Sequence, residues 1–456
     1  MDRGVDLAPL AHALPEGALL VDPDRMAGYR WDRANAPDAG MPLAVVRATC
    51  TEDVQAVVRF AGAHGIPVVT RGAGTGLSGG ASAVYGALLL STEQLRAIEV
   101  DPATRTVTVE PGLLNREVKA SAAAHGLWYP PDPSSFEICS IGGNLATNAG
   151  GLCCVKYGVT TDYVLGLTVV LADGTAVTLG GPRVKDVAGL PLVKLFVGSE
   201  GTLGIITRAV LRLLPAPRPA ATLVATFGRL ADATASVVEI TRTMRPSMLE
   251  FMDRVTIEAV DELTHMGLDR SAAAMLVVQS DEPGAEAAAE LRRIEASCTG
   301  HGATEVFATA DPDEGEAFVA ARRMAIPAVE RRGALLLEDV GVPVPRLGEL
   351  VEGIAAISTE RGIEIAVIAH AGDGNTHPLL VHDPMDHEQT GRAQAAYGDV
   401  MDLAIRLGGT ITGEHGVGRL KRPWLERQLG PEAMALNRTI KAALDPAGLL
   451  NPGTML

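Results

Sequence analysis

The sequence predicts an α+β fold divided into more than one domain. The chain has 456 residues, which is more than one hydrophobic core normally holds. The first 215 residues alternate short strands, short helices and glycine-rich turns, whereas residues 221–410 alternate longer strands with helices, as in a mixed or antiparallel sheet with helices on one side. Three prolines separate the two patterns: Pro215, Pro217 and Pro219. The expected domains cover residues 1–216 and 217–410, followed by a C-terminal segment over 411–456.

Caps and turns mark the elements of the first region. An acidic first turn after Thr51 opens a helix that ends at Gly65, because glycine readily takes the left-handed conformation of a helix end. Residues 66–70 follow as a buried strand, and the run 163–179 is a hairpin that turns at Asp173-Gly174. Two more apolar runs predict strands: 87–91 and 105–111.

The second region has longer elements of both kinds. Strands are expected at 223–228, 247–253, 274–282, 303–310, 334–343 and 363–370. The clearest helical patterns lie at 284–297, 312–330, 346–361 and 387–407.

Composition excludes several classes of function. A net charge of −16 argues against a nucleic-acid partner. No apolar stretch is long enough for a membrane span, and residues 1–17 lack the apolar region of a signal peptide, so a cytoplasmic location is expected. The five cysteines contain no C-x-x-C pair, which predicts reduced thiols and no iron–sulfur cluster in this chain.

The strongest sign of a functional site is a pair of histidines near the end of the chain. His370 follows an apolar strand, Asp373-Gly374-Asn375 predicts a tight turn, and the chain returns through His377, so the two imidazoles should face one another across a hairpin. Glu414 and His415 add a carboxylate and another imidazole. A lone histidine is more often a surface residue than a ligand, but the set of two histidines and a carboxylate is typical of a divalent metal site.

Three glycine-rich segments in the first region predict a large, phosphate-bearing cofactor. Residues 71–80 (RGAGTGLSGG) follow a strand, and glycine allows successive backbone N–H groups to turn toward one anion. No helix is expected after this loop, so it does not fit a Rossmann dinucleotide motif. Residues 140–151 and 197–207 provide two further loops of small residues, and Pro130–Ser135 is a stiff extended stretch. Alone, the first loop could equally be a surface turn.

Seven motifs in order resemble a known flavoprotein family. RGAGTGLSGG, PPDPSS, SIGGNLATNAGG, VGSEGTLGIIT, HAGDGNTH, GEHGVG and LNPG, which span roughly residues 40 to 453, are similar to those of the FAD-linked D-2-hydroxyacid dehydrogenases. That family includes the flavin subunit of glycolate oxidase and the FAD-dependent D-lactate dehydrogenases, within the vanillyl-alcohol oxidase superfamily. The resemblance implies a two-lobed FAD-binding domain of the PCMH type and an α+β cap domain with an antiparallel sheet.

The resemblance also implies which residues bind FAD. Those expected at the pyrophosphate are Arg71, Gly72, Ala73, Gly74, Thr75, Gly76, Leu77 and Ser78. Those expected along the flavin ring and ribityl chain are Pro131, Ser140, Gly143, Asn144, Thr147, Asn148 and Gly151. Glu200, Gly204 and Ile206 are expected on the adenosine side, and Asn451 closes over the flavin. Members with covalent flavin often carry His in the first loop, and its absence here favours noncovalent FAD.

Metal and substrate residues follow from the same resemblance. His370, His377 and Glu414 would hold a divalent metal, Zn or Mn, although Fe(II) also suits this set. His415 would be the catalytic base, and Arg322 would bind the substrate carboxylate. From the residues alone, Arg322 would be a solvated charge on a helix, and its neighbour Arg323 is an alternative by one position. The role of Lys421 is left open.

The expected reaction is oxidation of a small D-2-hydroxy acid, D-lactate or glycolate, to the 2-oxo acid, with hydride transfer from C2 to flavin N5. Family members that act on longer diacids tend to have Asn two positions after the second metal histidine, and a Lys is expected in the preceding strand. Because this chain has Leu379 and no Lys in residues 334–339, the resemblance favours a small monocarboxylate over 2-hydroxyglutarate. A quinone, a cytochrome or an iron–sulfur partner subunit would take the electrons, and oxidation by O₂ stays open. A homodimer is one assembly to consider.

Four alternatives are kept. The enzyme could be a D-2-hydroxyglutarate dehydrogenase, or a transferase resembling alkyl-dihydroxyacetone-phosphate synthase, which uses FAD without net redox change. A noncatalytic flavin subunit would have no physical need for an intact metal triad. A metal-dependent hydrolase without flavin would leave the glycine-rich segments unexplained.

Overall fold

The computed structural model describes residues 5–456, and these form two compact units. Unit 1 contains the described residues up to Gly150, together with Val159–Ala216 and Glu414–Leu456. Unit 2 contains Gly151–Gly158 and Pro217–Gly413. All five cysteines are free thiols. Within residues 5–456, no helix is both long and apolar enough to cross a membrane.

Unit 1 begins with a four-stranded sheet. Its strands are β1 (Leu19–Leu20), β2 (Ala44–Arg47), β3 (Val68–Arg71) and β4 (Leu88–Ser91), in the order β1-β2-β4-β3. β2, β4 and β3 run parallel, whereas β1 is antiparallel. The helices of this part are α1 (Ala8–Ala13), α2 (Pro23–Met26) and α3 (Thr51–His64). The predicted end of α3 is confirmed, since Gly65 adopts a φ of 61°.

A five-stranded antiparallel sheet forms the other part of unit 1. Its strands are β5 (Ile98–Asp101), β6 (Thr106–Val109), β8 (Val164–Val170), β9 (Ala176–Gly180) and β10 (Ile205–Arg212), in the order β5-β6-β10-β8-β9. The predicted hairpin of β8 and β9 is confirmed, with Gly174 at a φ of 80°. β7 (Leu127–Trp128) pairs with β11 (Leu214–Pro215). The helices are α4 (Asn115–Ala123), α5 (Ile141–Thr147), α7 (Leu192–Phe196), α15 (Arg422–Leu429) and α16 (Pro431–Leu444).

Each sheet of unit 1 has its own hydrophobic core, which accounts for the two lobes. The core of the first sheet includes Val46, Val58 and Leu90. The core of the second includes Val109 and Leu211. Alternation of buried and exposed residues along β10 shows that this strand covers the core with one face.

The end of the chain is part of the first lobe. Val68 N donates to Leu449 O at 2.8 Å, and Asn451 N donates to Val68 O at 2.8 Å. Leu450 thereby forms a parallel bridge with Val68 at the edge of the sheet, and its side chain is fully buried. These bonds place Asn451 beside the first residues of β3, the strand that leads into the first glycine-rich loop.

Unit 2 is built on one antiparallel sheet in the order β15-β12-β14-β13-β18-β19-β16, with β17 also paired to β19. The strands are β12 (Ala221–Phe227), β13 (Met248–Asp253), β14 (Ala274–Ser280), β15 (Ala303–Thr309), β16 (Ala334–Leu337), β17 (Val340–Gly341), β18 (Ile365–His370) and β19 (Asn375–His382). The helices are α6 (Cys154–Tyr157), α8 (Leu230–Thr243), α9 (Arg254–Thr264), α10 (Ala285–Gly300), α11 (Pro312–Arg323), α12 (Ala325–Glu330), α13 (Leu347–Arg361) and α14 (His387–Arg406).

Three predicted elements were wrong in part. The strand expected over 334–343 is two short strands, β16 and β17, with Glu338 and Asp339 between them. Residues 140–151 were expected to be a loop, but Ile141–Thr147 is helical, because Ser140 caps the helix by accepting a hydrogen bond from Gly143 N. The single helix expected over 312–330 is two helices that meet at Met324. Pro327 lies in the first turn of the second helix, where its missing N–H costs least.

Candidate active site

The predicted hairpin brings the two histidines together on one face of the sheet of unit 2. In the register of β18 and β19, His370 pairs with Asn375 and Ile368 pairs with His377. His370 and His377 are therefore diagonal neighbours on the same face rather than a directly facing pair. Their ring centroids are 5.1 Å apart, at an interplanar angle of 83°. Each residue is only 4% exposed.

A carboxylate that sequence reasoning missed lies beside His370. Glu250 occupies the middle of β13 and pairs across the strands with His370. Its Oε1 and Oε2 lie 2.8 and 3.0 Å from His370 Nδ1. Glu250 has no exposed surface. A glutamate inside the apolar run SMLEFMD was the signal available in the sequence, since such residues are seldom fully buried without a partner.

Arg322 is the second partner of Glu250. Arg322 lies near the end of α11 and is 2% exposed, and its Nη2 is 2.7 Å from Glu250 Oε2. The interpretation of Arg322 as a solvated helix charge was therefore wrong. Arg323 remains partly exposed, so burial distinguishes the two neighbours. Binding of a substrate carboxylate by Arg322 stays a prediction.

The charges around Glu250 decide its ionisation. Burial alone would raise the pKa of this carboxyl, but the neighbouring His370 and Arg322 outweigh burial and hold the pKa of Glu250 below its ordinary value. The group is thus an ionised carboxylate at neutral pH. A charge in this position is tolerable because it is both paired and hydrogen-bonded.

Asp339 is a second functional candidate that the sequence did not reveal. This fully buried residue follows β16. Its Oδ2 accepts hydrogen bonds from Thr412 Oγ1 at 2.6 Å and Gly413 N at 3.0 Å. Its Oδ1 is 3.9 Å from His377 Nδ1. Asp339 therefore fixes the segment that leads directly into Glu414.

His415 lies in a segment of unit 1 that is held through its backbone. Ser78 Oγ donates to the carbonyl of His415 at 3.1 Å. Glu200 accepts hydrogen bonds from Val417 N at 2.7 Å and Gly418 N at 2.8 Å. The backbone is thus anchored at the predicted base and at the residues that follow it, while the imidazole Nε2 lies 3.7 Å from Glu414 Oε1.

Glu200 has an unusual environment for a carboxylate. Burial raises the pKa of Glu200 to about 7, although the two backbone N–H groups and the charge of Lys421 act in the opposite direction. Lys421 is itself fully buried. The Glu200 carboxylate serves the 417–418 backbone, and its predicted contact with the adenosine part of FAD stays a prediction.

The first glycine loop, residues 72–79, fits a phosphate group. Gly74 and Gly79 adopt φ values of 75° and 81°. Among the described residues, Ala73 has the one backbone N–H of this loop that binds another part of the protein, Ser140 Oγ at 3.1 Å. Several backbone N–H groups are therefore available to the oxygens of a pyrophosphate, as in the anion-binding nests of other proteins.

Helix α5 continues the predicted FAD site. Ser140 Oγ accepts from both Ala73 N and Gly143 N, so it links the glycine loop to the start of this helix. A Cβ added at Gly72 would overlap Ser140 Oγ. Asn144 Oδ1 accepts from Asn115 Nδ2 at 3.0 Å. The glycine loop and helix α5 are therefore held together by hydrogen bonds to Ser140.

The remaining predicted FAD residues lie in different parts of the fold. Asn451 Nδ2 donates to Gly80 O at 2.9 Å and Glu200 O at 2.7 Å, so it joins the loop to the 197–207 segment. Gly204 packs so closely on Val169 that a side chain would not fit, which explains this glycine without a ligand. The others lie as follows: Arg71 at the end of β3, Thr75, Gly76 and Leu77 in the loop, Pro131 before α5, Thr147 and Asn148 at the end of α5, Ile206 in β10, and Gly151 in unit 2.

The donor set of unit 2 suits a divalent metal. Because His370 Nδ1 is hydrogen-bonded to Glu250, Nε2 is the nitrogen that His370 can present to an ion. Carboxylates that orient ligating histidines in this way are common around zinc. His377 supplies a second imidazole on the same face. Glu414 is joined by one peptide bond to Gly413, which Asp339 holds in place.

Comparison with known proteins identifies the domain families. Residues 42–180 match the FAD binding domain family, and residues 216–455 match the C-terminal domain of FAD linked oxidases. The chain is 41% identical to glycolate oxidase subunit GlcD of Bacillus subtilis over 431 residues, which cover 94% of this chain and 91% of that protein. It is 36% identical to D-lactate dehydrogenase of Archaeoglobus fulgidus over 435 residues, covering 94% and 95% of the two chains.

Solved structures confirm the predicted fold class. 4-Ethylphenol oxidase from Gulosibacter chungangensis superimposes with a TM-score of 0.81 at 18% identity, covering 99% of this chain and 98% of that chain. p-Cresol methylhydroxylase gives the same TM-score and identity, with coverage of 98% and 95%. Alkyldihydroxyacetonephosphate synthase gives a TM-score of 0.74 at 18% identity, covering 97% and 83%. At these identities the likeness concerns the fold alone.

Family and fold agree. The FAD-binding domain removes the alternative of a hydrolase that works without flavin. The two matched families together cover most of the chain, and relatives above 30% identity extend over nearly all of it. The chain therefore belongs to the FAD-linked oxidases and is an FAD-linked oxidoreductase.

Proposed function

We propose that this protein oxidises a small D-2-hydroxy acid, D-lactate or glycolate, to the corresponding 2-oxo acid. The observation that supports the proposal is the buried cluster of His370, His377, Glu250 and Arg322, in which two imidazoles suited to a metal and a guanidinium suited to a carboxylate share contacts. The similarity to proteins named glycolate oxidase subunit and D-lactate dehydrogenase supports the same substrate class.

Noncovalent FAD and a divalent metal, Zn or Mn, complete the site. His370, His377 and Glu414 would hold the metal. When bound, FAD supplies a hydride acceptor at N5, and the metal supplies a Lewis acid that lowers the pKa of a coordinated hydroxyl. Everything else in the reaction is done by side chains of this chain.

Each side chain has a defined task. Arg322 binds one oxygen of the substrate carboxylate. His415 would take the proton of the C2 hydroxyl, and FAD, when bound, would supply the acceptor for the hydride from C2. The C2–O bond becomes a carbonyl, so one proton and one hydride account for the whole oxidation.

The apolar character of the neighbouring strands favours a small substrate. Leu337 pairs with Leu379 across β16 and β19, and Leu379 is fully buried in the core of unit 2. These positions offer no cation to a second carboxylate. D-2-hydroxyglutarate is therefore the less favoured substrate, and a transferase without net redox change would have no use for a metal site.

Repeated turnover would need an external acceptor for the two electrons removed from the substrate. We propose a quinone, a cytochrome or an iron–sulfur partner subunit in this role. The cytoplasm is the proposed location and a homodimer the proposed assembly, while the strongly negative net charge disfavours nucleic acid as a partner.

Anaerobic visible spectroscopy tests the substrate class. The purified protein is expected to show flavin absorbance that bleaches with D-lactate or glycolate, with L-lactate as the stereochemical control for D-lactate. Bleaching by D-2-hydroxyglutarate alone would move the assignment to that acid. Flavin absorbance that none of the acids bleaches would contradict the proposed reaction and favour the transferase.

A further inference from the structure

Glu250 is a charge in the middle of a strand that otherwise builds the core. Its neighbours Leu249 and Phe251 are almost fully buried, and Glu250 itself has no exposed surface. Removing a carboxylate from water is unfavourable unless partners compensate. A residue kept here at such a cost has a task that an apolar side chain could not perform.

The partners of Glu250 are two residues of the proposed site. The carboxylate lies 2.8 Å from His370 Nδ1 and 2.7 Å from Arg322 Nη2. The histidine arrives from the adjacent strand β18, and the arginine arrives from helix α11. One carboxylate therefore contacts Arg322 and His370, two residues that are 48 positions apart in the sequence.

We propose that Glu250 is a positioning residue that sets metal binding and substrate binding together. It accepts the Nδ1 proton of His370, so that Nε2 carries the lone pair needed by a metal, and it holds the Arg322 guanidinium in the orientation needed by the substrate carboxylate. This inference rests on the proposed function.

Loss of the carboxylate should therefore affect two measurable properties. Glutamine offers one neutral amide oxygen where the carboxylate offers two charged ones, so the variant weakens the preference of His370 for the Nδ1-protonated tautomer. Substitutions of such outer partners typically weaken metal binding about 10- to 100-fold. Arg322 also loses the anion that aligns it, so the apparent KM for the hydroxy acid should rise. FAD content should stay unchanged, because the described contacts of Glu250 lie within unit 2.

The test uses Glu250→Gln in the FAD-loaded full chain, because glutamine keeps the shape and removes the charge. Glu290→Gln is the matched control: Glu290 is also a buried glutamate of unit 2, and it binds Ser280 Oγ. Zn²⁺ affinity is measured by competition with a chelator, KM and kcat are measured with D-lactate, and the His370 tautomer is followed by ¹⁵N NMR of labelled histidines.

The expected result is at least a tenfold loss of Zn²⁺ affinity and a raised KM in Glu250→Gln, with wild-type values in Glu290→Gln. His370 should be protonated at Nδ1 in the metal-free wild type and lose this preference in the variant. Equal Zn²⁺ affinity in wild type and Glu250→Gln would overturn the inference. A wild type that binds no Zn²⁺ would overturn the proposed metal site instead, and the tautomer would still report on the hydrogen bond.

Should Glu250→Gln fail to fold, the double variant Glu250→Gln/Arg322→Gln removes both buried charges and leaves neither unpaired. It is expected to fold and still show the loss of Zn²⁺ affinity. A folded double variant with wild-type affinity would contradict the positioning role.

Discussion

The candidate sites of the two units are built from different kinds of chemical group. In unit 2 the candidate site consists of buried ionisable side chains that satisfy one another, as Glu250 does for His370 and Arg322. In unit 1 the predicted cofactor site consists of backbone N–H groups in a glycine loop braced by Ser140. Substitutions that remove a charge should therefore be the most damaging in unit 2, whereas substitutions that add side-chain volume should be the most damaging in unit 1.

The largest effect is expected for His415→Ala. Removing a general base typically lowers turnover about 10²- to 10⁴-fold. Turnover with D-lactate is measured after FAD and metal content have been shown to equal those of the wild type. Near-normal turnover in this loaded variant would contradict the assignment of His415 as base.

Arg322→Met should destabilise the protein strongly. It leaves the Glu250 carboxylate buried without its cation, which typically costs about 3–5 kcal/mol. Arg323→Met is the matched control on the neighbouring, partly exposed position. The free energy of unfolding from urea titrations compares the two variants. Similar values for both would mean that the Arg322–Glu250 pair carries little of the stability of unit 2.

Glu200→Gln tests the carboxyl that bridges to Val417 and Gly418 through the pH dependence of stability. Because the pKa of Glu200 is raised to about 7 in the folded protein, the unfolded chain ionises first as pH rises. The wild type should therefore lose roughly 2–3 kcal/mol relative to the variant between pH 5 and pH 8. Urea unfolding in excess FAD measures this difference. Parallel pH profiles for the two proteins would show that Glu200 is ionised normally.

Gly72→Ala tests the importance of space in unit 1. The added methyl would overlap Ser140 Oγ, and such overpacking typically costs about 1–3 kcal/mol. The variant should release FAD more readily, as measured by flavin fluorescence on dilution. Gly28→Ala is the control, since a methyl there meets no atom within 4 Å. Equal FAD affinity in the two variants would contradict the claim that close packing of Gly72 on Ser140 supports FAD binding.

Sequence patterns correctly predicted the features that depend on neighbouring residues in the chain. The hairpin that carries His370 and His377 followed from an apolar strand and a turn at Gly374, and the turn is confirmed by a φ of 81°. The absence of a helix after the first glycine loop was also predicted correctly, because the next regular element is β4. These features depend on residues close together in the chain.

The partners of the site could not be predicted in the same way. Glu250 is separated from His370 by 120 positions, and Asp339 is separated from Thr412 by 73. Only the register of β13 against β18 brings the first pair together. Helix α5 was missed because its glycines suggested a loop, whereas the capping contact of Ser140 stabilises a helix there.

The central claim is that hydride transfer to FAD depends on a metal held by the histidine pair. Its most direct test is the rate of anaerobic flavin reduction by D-lactate, measured by stopped flow in enzyme stripped of metal with a chelator and again after adding Zn²⁺ or Mn²⁺. The account predicts a large loss of rate in the stripped enzyme, with unchanged flavin content, and recovery with one of the two ions. Equal rates before and after stripping would contradict it.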